Sequence, residues 1–301
     1  MRKILVTGGT VFVSRFVAEY FVRLGDQVYV LNRNTKEQPA GVILIETDRN
    51  NLGDQLKQYE FDAVLDINSY TRVDVENLVT ALGSIRDYIF ISTSAVYPET
   101  LPQPFVETQK CGPNSLWGAY GTNKLEAEDY LTEHVPQAYI LRPPYLYGPM
   151  EHVYRSPFAF DCAEAERPFY IPGDGSLKLQ FFHVEDLCRL MQILLEKHPE
   201  ERIYNVGNPN AVTVKEWVQL CYEAAGKSVE MVSVGDEHPA GKYFPFPTYE
   251  YFLDVSRQSA LLPDAKPLAD GIMEEYAWYR ENREKIARRT YVEYIDTNIG
   301  A

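Results

Sequence analysis

The chain is poor in cysteine, in positive charge and in long apolar runs, and each shortage excludes something. Its four cysteines, Cys111, Cys162, Cys188 and Cys221, stand far apart. No C-x-x-C pair or His/Cys cluster suggests a metal site, and so few thiols point to a reducing compartment, the cytoplasm. No apolar run reaches the roughly 18 residues of a membrane span. The opening MRKILVTGG enters a strand at once, so neither a signal peptide nor a membrane association is expected. Lysine and arginine number 29 against 43 aspartates and glutamates, a net charge of −14 over 301 residues. That balance opposes general binding to nucleic acid, which is itself negative, while leaving room for a local basic patch. With 45% hydrophobic composition the chain can bury a large core.

Short apolar runs alternate with amphipathic stretches. Residues 4–6, 28–31, 42–45, 63–67, 88–92 and 138–142 read as strands. Helices fit 12–24, 74–82 and 119–134. Strands apolar on both faces and separated by helices imply an α/β fold with a Rossmann-like, doubly wound parallel sheet. Its ligand crevice lies at the carboxyl ends of the strands. Prolines crowd 143–172 and mark a crossover out of the sheet. A strand and helix over 181–195 are expected to return to it, and a long charged helix fits 272–289. The expected division is a dinucleotide-binding domain over 1–150 and 176–206, with a smaller C-terminal substrate lobe from 151–175 and 207–301.

Two glycines are missing from the first strand–turn–helix, ILVTGGTVFVSRFVAEYF. In a phosphate-binding turn of this kind one glycine permits the turn, a second lets backbone approach the diphosphate and a third lets helix and strand pack. Gly8 meets the first need. Val11 and Ser14 hold the other two places. The helix N-terminus still offers amides and partial positive charge, neither of which needs glycine. At the end of the second strand, Asn32 stands where an acid would select NAD, and Arg33 can pair with the 2′-phosphate of NADP, which tips the reading toward NADP. Asp48 can accept from an adenine amino group.

AYGTNKLEAEDYL carries the strongest chemical signal. Tyr120 and Lys124 are four apart on a helix and share a face. An adjacent ammonium favours the phenolate, which makes the tyrosine an acid/base toward a hydroxyl or carbonyl. Upstream, YIFISTSAVYP is a strand ending in hydroxyls at the crevice. Thr93 can bond the same substrate oxygen as Tyr120, with Ser92 or Ser94 in its place under a shifted register.

The order T-G-G-T-x-F-V (7–13), S-T-S-A-V-Y (92–97), Y-G-T-N-K (120–124), L-R-P-P-Y-L-Y-G-P (141–149) and F-F-H-V-E-D-L (181–187) resembles the NAD-dependent epimerase/dehydratase family of extended or atypical short-chain dehydrogenases/reductases. The resemblance implies NAD or NADP on a Rossmann domain and a Thr93–Tyr120–Lys124 triad. It implies a small-molecule substrate and, often, a homodimer. It also implies that Gly8, Gly9, Thr10, Phe12 and Val13 line the diphosphate, and that Asp66 and Lys124 stand near the ribose. Residues 142–147, Pro143 among them, would line the nicotinamide and substrate side. Ser94, Tyr145, Tyr147 and also Tyr154 become candidates to face a sugar ring.

Departures narrow the expectation. Sugar dehydratases carry an acidic pair where this chain has Ser94-Ala95, so elimination of water lacks a catalyst. Leu179-Gln180 replaces the Arg-Asp with which many sugar-nucleotide enzymes grip a diphosphate. FDAVLDIN, Gln180 and FPFPTYEYFLDVSR resemble the chloroplast stem-loop-binding branch, associated with RNA, which generally lacks the tyrosine kept here. The function expected is an oxidoreductase or epimerase of a sugar-like substrate. The alternative is a non-catalytic or RNA-processing platform, although the basic residues Arg283, Lys285, Arg288 and Arg289 alternate with Glu281 and Glu284 as a solvated helix face does.

Overall fold

The computed structural model describes residues 1–300. The chain begins with β1 (Lys3–Thr7), α1 (Phe12–Arg23), β2 (Gln27–Asn32), β3 (Ile43–Glu46) and β4 (Ala63–Asp66). Then come α2 (Arg72–Ala81), β5 (Asp87–Ile91), α3 (Ala119–His134) and β6 (Tyr139–Arg142). All six strands are parallel, and with β11 (Ile203–Asn205) they form a seven-stranded sheet ordered β11-β6-β5-β4-β1-β2-β3. Connections leave β1 in both directions, so a crevice opens beyond its carboxyl end.

Both faces of the sheet are covered, because successive strand residues point to opposite sides. Ile4 and Val6 join Phe16, Val17 and Phe21 of α1 and residues Leu187 and Met191 on one side. Leu5 joins Val64, Val75 and Leu78 of α2 and Leu131 of α3 on the other. The Thr71 hydroxyl accepts from the Asp74 amide, and the Asp74 carboxylate accepts from the Thr71 amide, which sets the start of α2.

The remaining elements are β7 (Tyr145–Tyr147), α4 (Ser156–Glu164), β8 (Phe169–Pro172), β9 (Lys178–Leu179), β10 (Phe181–His183), α5 (Val184–Lys197), β12 (Val212–Thr213), α6 (Val214–Ala224), β13 (Met231–Val234), α7 (Ser256–Leu261), α8 (Leu268–Glu281) and α9 (Tyr291–Asn298). A second core, rich in aromatics, joins Phe158, Phe169, Phe181, Trp217, Phe246 and Tyr279. Trp217 lies edge-on to Phe246 with centroids 5.0 Å apart.

Two expectations change. The strand at 181–183 does not return to the large sheet: it pairs with β7 in a sheet of its own. Pro143 and Pro144 lack amides, so the ladder of β6 ends and β7 begins a new one. The seventh strand is β11 instead. The helix expected over 272–289 stops at Asn282, whose side chain donates to the Trp278 carbonyl at 2.8 Å. The cations beyond it are spent within the lobe: Arg283 pairs with Glu164 at 2.7 Å and Arg288 with Asp161 at 2.8 Å. Among the described residues no helix is long and apolar enough to cross a membrane.

The turn after β1 needs its second glycine for packing. Gly9 has φ 89°, and a Cβ there would stand 2.5 Å from Val30 Cγ1. Gly9→Ala therefore combines backbone strain with a clash in the core, and its urea midpoint is expected to correspond to a loss of about 1–3 kcal/mol.

Candidate active site

Three cavities run end to end over the carboxyl ends of the strands. The first, about 360 Å³, lies between β2, β3 and the turn and is lined by Asn32, Arg33, Asp48 and Arg49. The second, about 430 Å³, shares Gly8, Thr10, Asn68 and Tyr70 with the first and extends to Thr93, Tyr120, Lys124 and Pro143. The third, about 300 Å³, shares Thr93, Tyr120, Pro144 and Arg155 with the second and reaches Ser94, Trp117, Tyr145 and Tyr251 in the direction of the lobe.

The turn keeps its opening despite the missing glycines. Val11 lines the second cavity without closing it. It caps α1 in an extended conformation, and the next residue, Phe12, takes φ 37°, a strained value for a bulky side chain. Phe12, Val13 and Ser14 line the cleft, and among the described residues their amides have no partner within the protein. The Ser14 hydroxyl donates to the Val11 carbonyl at 2.9 Å, so it braces the turn and its proton is not free for a ligand. Gly8 has φ 86°, and Asn32 donates to its carbonyl at 2.7 Å. The Asn32 oxygen in turn accepts from the Asn34 amide and from Gln38. Asn32 thus shapes the turn with all its polar atoms engaged. Asp48 accepts from the Asn50 amide. Arg33 forms no ion pair among the described residues.

The triad residues converge. Thr93 accepts from the Ala95 amide at 3.2 Å, which leaves its own hydroxyl proton free, and it faces the Tyr120 phenol. Tyr120 is 39% exposed as a residue and lines both the second and the third cavity. Burial raises its pKa above that of an ordinary phenol, and Thr93 opposes the shift. Lys124 lines the second cavity. Its ammonium donates to the carbonyls of Ser69 and Ile91, each at 2.6 Å. Burial pulls the Lys124 pKa down to about 8, against the attraction of Asp66 and Glu128.

One turn beyond Lys124 on the same face, Glu128 makes a contact that sequence reasoning missed. Its carboxylate accepts from Arg142 Nε at 3.0 Å and Nη2 at 2.5 Å, and from the Ser92 hydroxyl. Arg142 Nη1 donates to the Tyr97 hydroxyl at 2.8 Å, and Tyr97 donates to Asn205 at 2.8 Å. Burial opposes the Arg142 charge, and Glu128 more than restores it, so the pKa is raised. The spacing 120, 124, 128 was the available signal.

Several expected residues lie elsewhere. Asp66 is sealed, accepting from Thr7 at 2.8 Å, Ser69 at 2.7 Å and Tyr88 at 2.8 Å, so it ties strand ends together and does not meet a ribose. Arg142 sits in its ion pair and not on the nicotinamide side. Tyr147 is 1% exposed, packed against Phe181 and His183, and Tyr154 donates to Asp161 inside the lobe. Gly9 packs on Val30. Ser92 is bound to Glu128, which leaves Thr93 and Ser94 as the hydroxyls lining the third cavity. His183 is fully buried, and burial drives its pKa down to about 3. Arg155, Trp117 and Tyr251 line the third cavity without having been anticipated.

The model of the NAD dependent epimerase/dehydratase family matches residues 4–207. The chain is 28% identical to the chloroplast stem-loop binding protein of 41 kDa b of Arabidopsis thaliana, over 91% of this chain and 78% of that one. It is 27% identical to a probable GDP-L-fucose synthase 1 of Oryza sativa subsp. japonica, over 71% of this chain and 69% of the relative. The fold is shared with the Bordetella bronchiseptica enzyme WbmH in complex with NAD+: TM-score 0.77, 18% identity, 94% of this chain and 99% of that one.

Arg142→Met leaves Glu128 buried without its partner. Its urea-derived stability is expected to fall by about 3–5 kcal/mol. Lys124 is protonated in the unfolded chain up to its ordinary value of 10.5 but in the folded chain only up to about 8. The unfolded state therefore binds more protons between those limits, and this residue's contribution to stability rises with pH there. Set against Lys124→Met, the wild type is expected to gain stability as urea titrations move from pH ~8 toward ~10.

Proposed function

The chain belongs to the NAD dependent epimerase/dehydratase family, and from that premise we propose that it is an enzyme using NAD or NADP to act on a hydroxyl or carbonyl of a sugar-like substrate. The observation that carries this reading is the joined cleft, in which free amides at the mouth of α1 share one cavity with Thr93, Tyr120 and Lys124. Two donors of the Lys124 ammonium are taken by carbonyls and the third remains for a ribose hydroxyl. The amides of Phe12, Val13 and Ser14 hold the diphosphate, as a helix N-terminus does without needing glycine. Arg33 stands free at the adenosine end and favours a 2′-phosphate there, the ground for preferring NADP.

When bound, the nicotinamide supplies exchange of a hydride with the substrate carbon. Tyr120, kept protonated by burial, gives its proton to the substrate oxygen in reduction and recovers it in oxidation. Thr93 donates to the same oxygen and orients it. Ser94 and Ala95 offer no acid for elimination, so epimerisation or simple oxidation and reduction fits the site better than dehydration. An RNA-binding role has less support, since Arg283 and Arg288 of the late basic cluster are spent on ion pairs within the lobe.

The test joins binding to turnover. At least one of NAD, NADH, NADP and NADPH is expected to raise the thermal midpoint of both the wild type and Tyr120→Phe. Turnover, followed by nicotinamide absorbance over a panel of sugars and sugar nucleotides, is expected to fall about 10²–10⁴-fold in Tyr120→Phe. A midpoint unmoved by all four coenzymes rules out the cofactor, and undiminished turnover rules out the tyrosine.

A further inference from the structure

The substrate pocket is small and holds one charge. At about 300 Å³ it lies at the low end of ligand cavities, which run from roughly 300 to 1,000 Å³. Among the described residues that line it, Arg155 alone is ionised at neutral pH. Its guanidinium carbon stands 5.0 Å from the Tyr145 ring centroid and 6.0 Å from that of Phe246. The two rings pack against the guanidinium at the pocket wall.

Arg155 is also short of acceptors. Its one ion pair is a single contact, Nη1 to Glu151 Oε1 at 3.3 Å. An arginine has five donors, and among the described residues the other four have no side-chain or carbonyl acceptor. The second carboxyl nearby does not make up the deficit. Glu275 of α8 is 1% exposed and makes no hydrogen bond to Arg155 among the described residues; burial, with Glu151 beside it, pushes its pKa up. A cation so placed, three-quarters buried with most of its donors free, is matched to a planar or tetrahedral oxyanion.

The strand before H-V-E-D-L adds no cation to this pocket for the diphosphate of a sugar nucleotide. The residues before H-V-E-D-L offer it nothing: Gln180 donates to the carbonyls of Asn208 and Leu253 and accepts from the Leu253 amide. Lys178 lies over the Phe252 ring at 5.8 Å, and its amide meets Glu250.

We propose that the substrate is a compact polyhydroxy compound bearing an oxyanion, a carboxylate or a phosphate monoester, seated on Arg155 with the reacting carbinol at Thr93 and Tyr120. This rests on the function proposed above. The charge holds the substrate by one end, and the distance from Arg155 to Tyr120 then selects which hydroxyl reacts.

The experiment titrates the full chain, without coenzyme, against D-glucuronate, D-glucose 6-phosphate, D-glucose and UDP-glucose. Binding is read by tryptophan fluorescence, since Trp117 lines the pocket, and by calorimetry. At least one of the two anionic monosaccharides is expected to bind about tenfold or more tightly than glucose, and which one responds separates carboxylate from phosphate. Arg155→Met is expected to abolish that preference. Arg155→Lys keeps a charge opposite Glu151 and is expected to keep only part of it, because a point charge lacks the fork. Glucose binding as well as both anions, no response to either anion at millimolar concentration, a preference that survives in Arg155→Met, or UDP-glucose binding more tightly than both monosaccharides overturns the proposal. Binding is measured without turnover. A coenzyme that fails to bind beside an intact anion preference therefore strikes the function alone, and a lost preference beside a functional Tyr120 strikes only this inference.

Discussion

The buried pair of Arg142 and Glu128 is the constraint on which the site depends. It joins the end of β6 to the middle of α3, and it takes in Ser92 beyond β5 and Tyr97 in the following loop. The side chains are 4% and 3% exposed, so neither charge has water to fall back on. Their geometry is therefore held tightly. Residues 120, 124 and 128 lie one turn apart, and fixing Glu128 fixes the rotation of α3 about its axis. With that rotation set, Lys124 meets the carbonyls of Ser69 and Ile91, and Tyr120 meets Thr93.

The turn after β1 shows how a nucleotide-binding frame tolerates lost glycines. Ser14 fills the space of the third by turning its hydroxyl back onto the Val11 carbonyl. Val11 takes an extended conformation open to any residue, and the unusual backbone angle passes to Phe12. Strain of this sort persists where the surroundings enforce it, and it clusters at functional sites. Here it leaves three amides facing the cleft.

The sheet was legible because its strands are short, apolar on both faces and separated by amphipathic helices; α3 was read to the residue. The β7–β10 pair was not, because a run of three residues carries no record of its partner, and only Pro143-Pro144 hinted that the sheet breaks there. The triad was visible through the four-residue spacing and a strand ending in hydroxyls. What escaped was tertiary. Whether a polar side chain faces a cleft or a neighbour depends on long-range partners, so Asp66, Tyr147 and Arg142 looked like site residues and proved internal. Arg155 sits in an irregular stretch between β7 and α4 where no period points inward or outward. Two donors of Lys124 go to the carbonyls of Ser69 and Ile91, partners at long range that no local spacing announces.

Gln180 has a wider consequence. Its amide fastens the backbone at Asn208, just past the sheet edge, to the backbone at Leu253. One buried side chain thus ties together three segments that lie far apart in the sequence. Removing that one amide would leave three buried backbone groups to find new partners together.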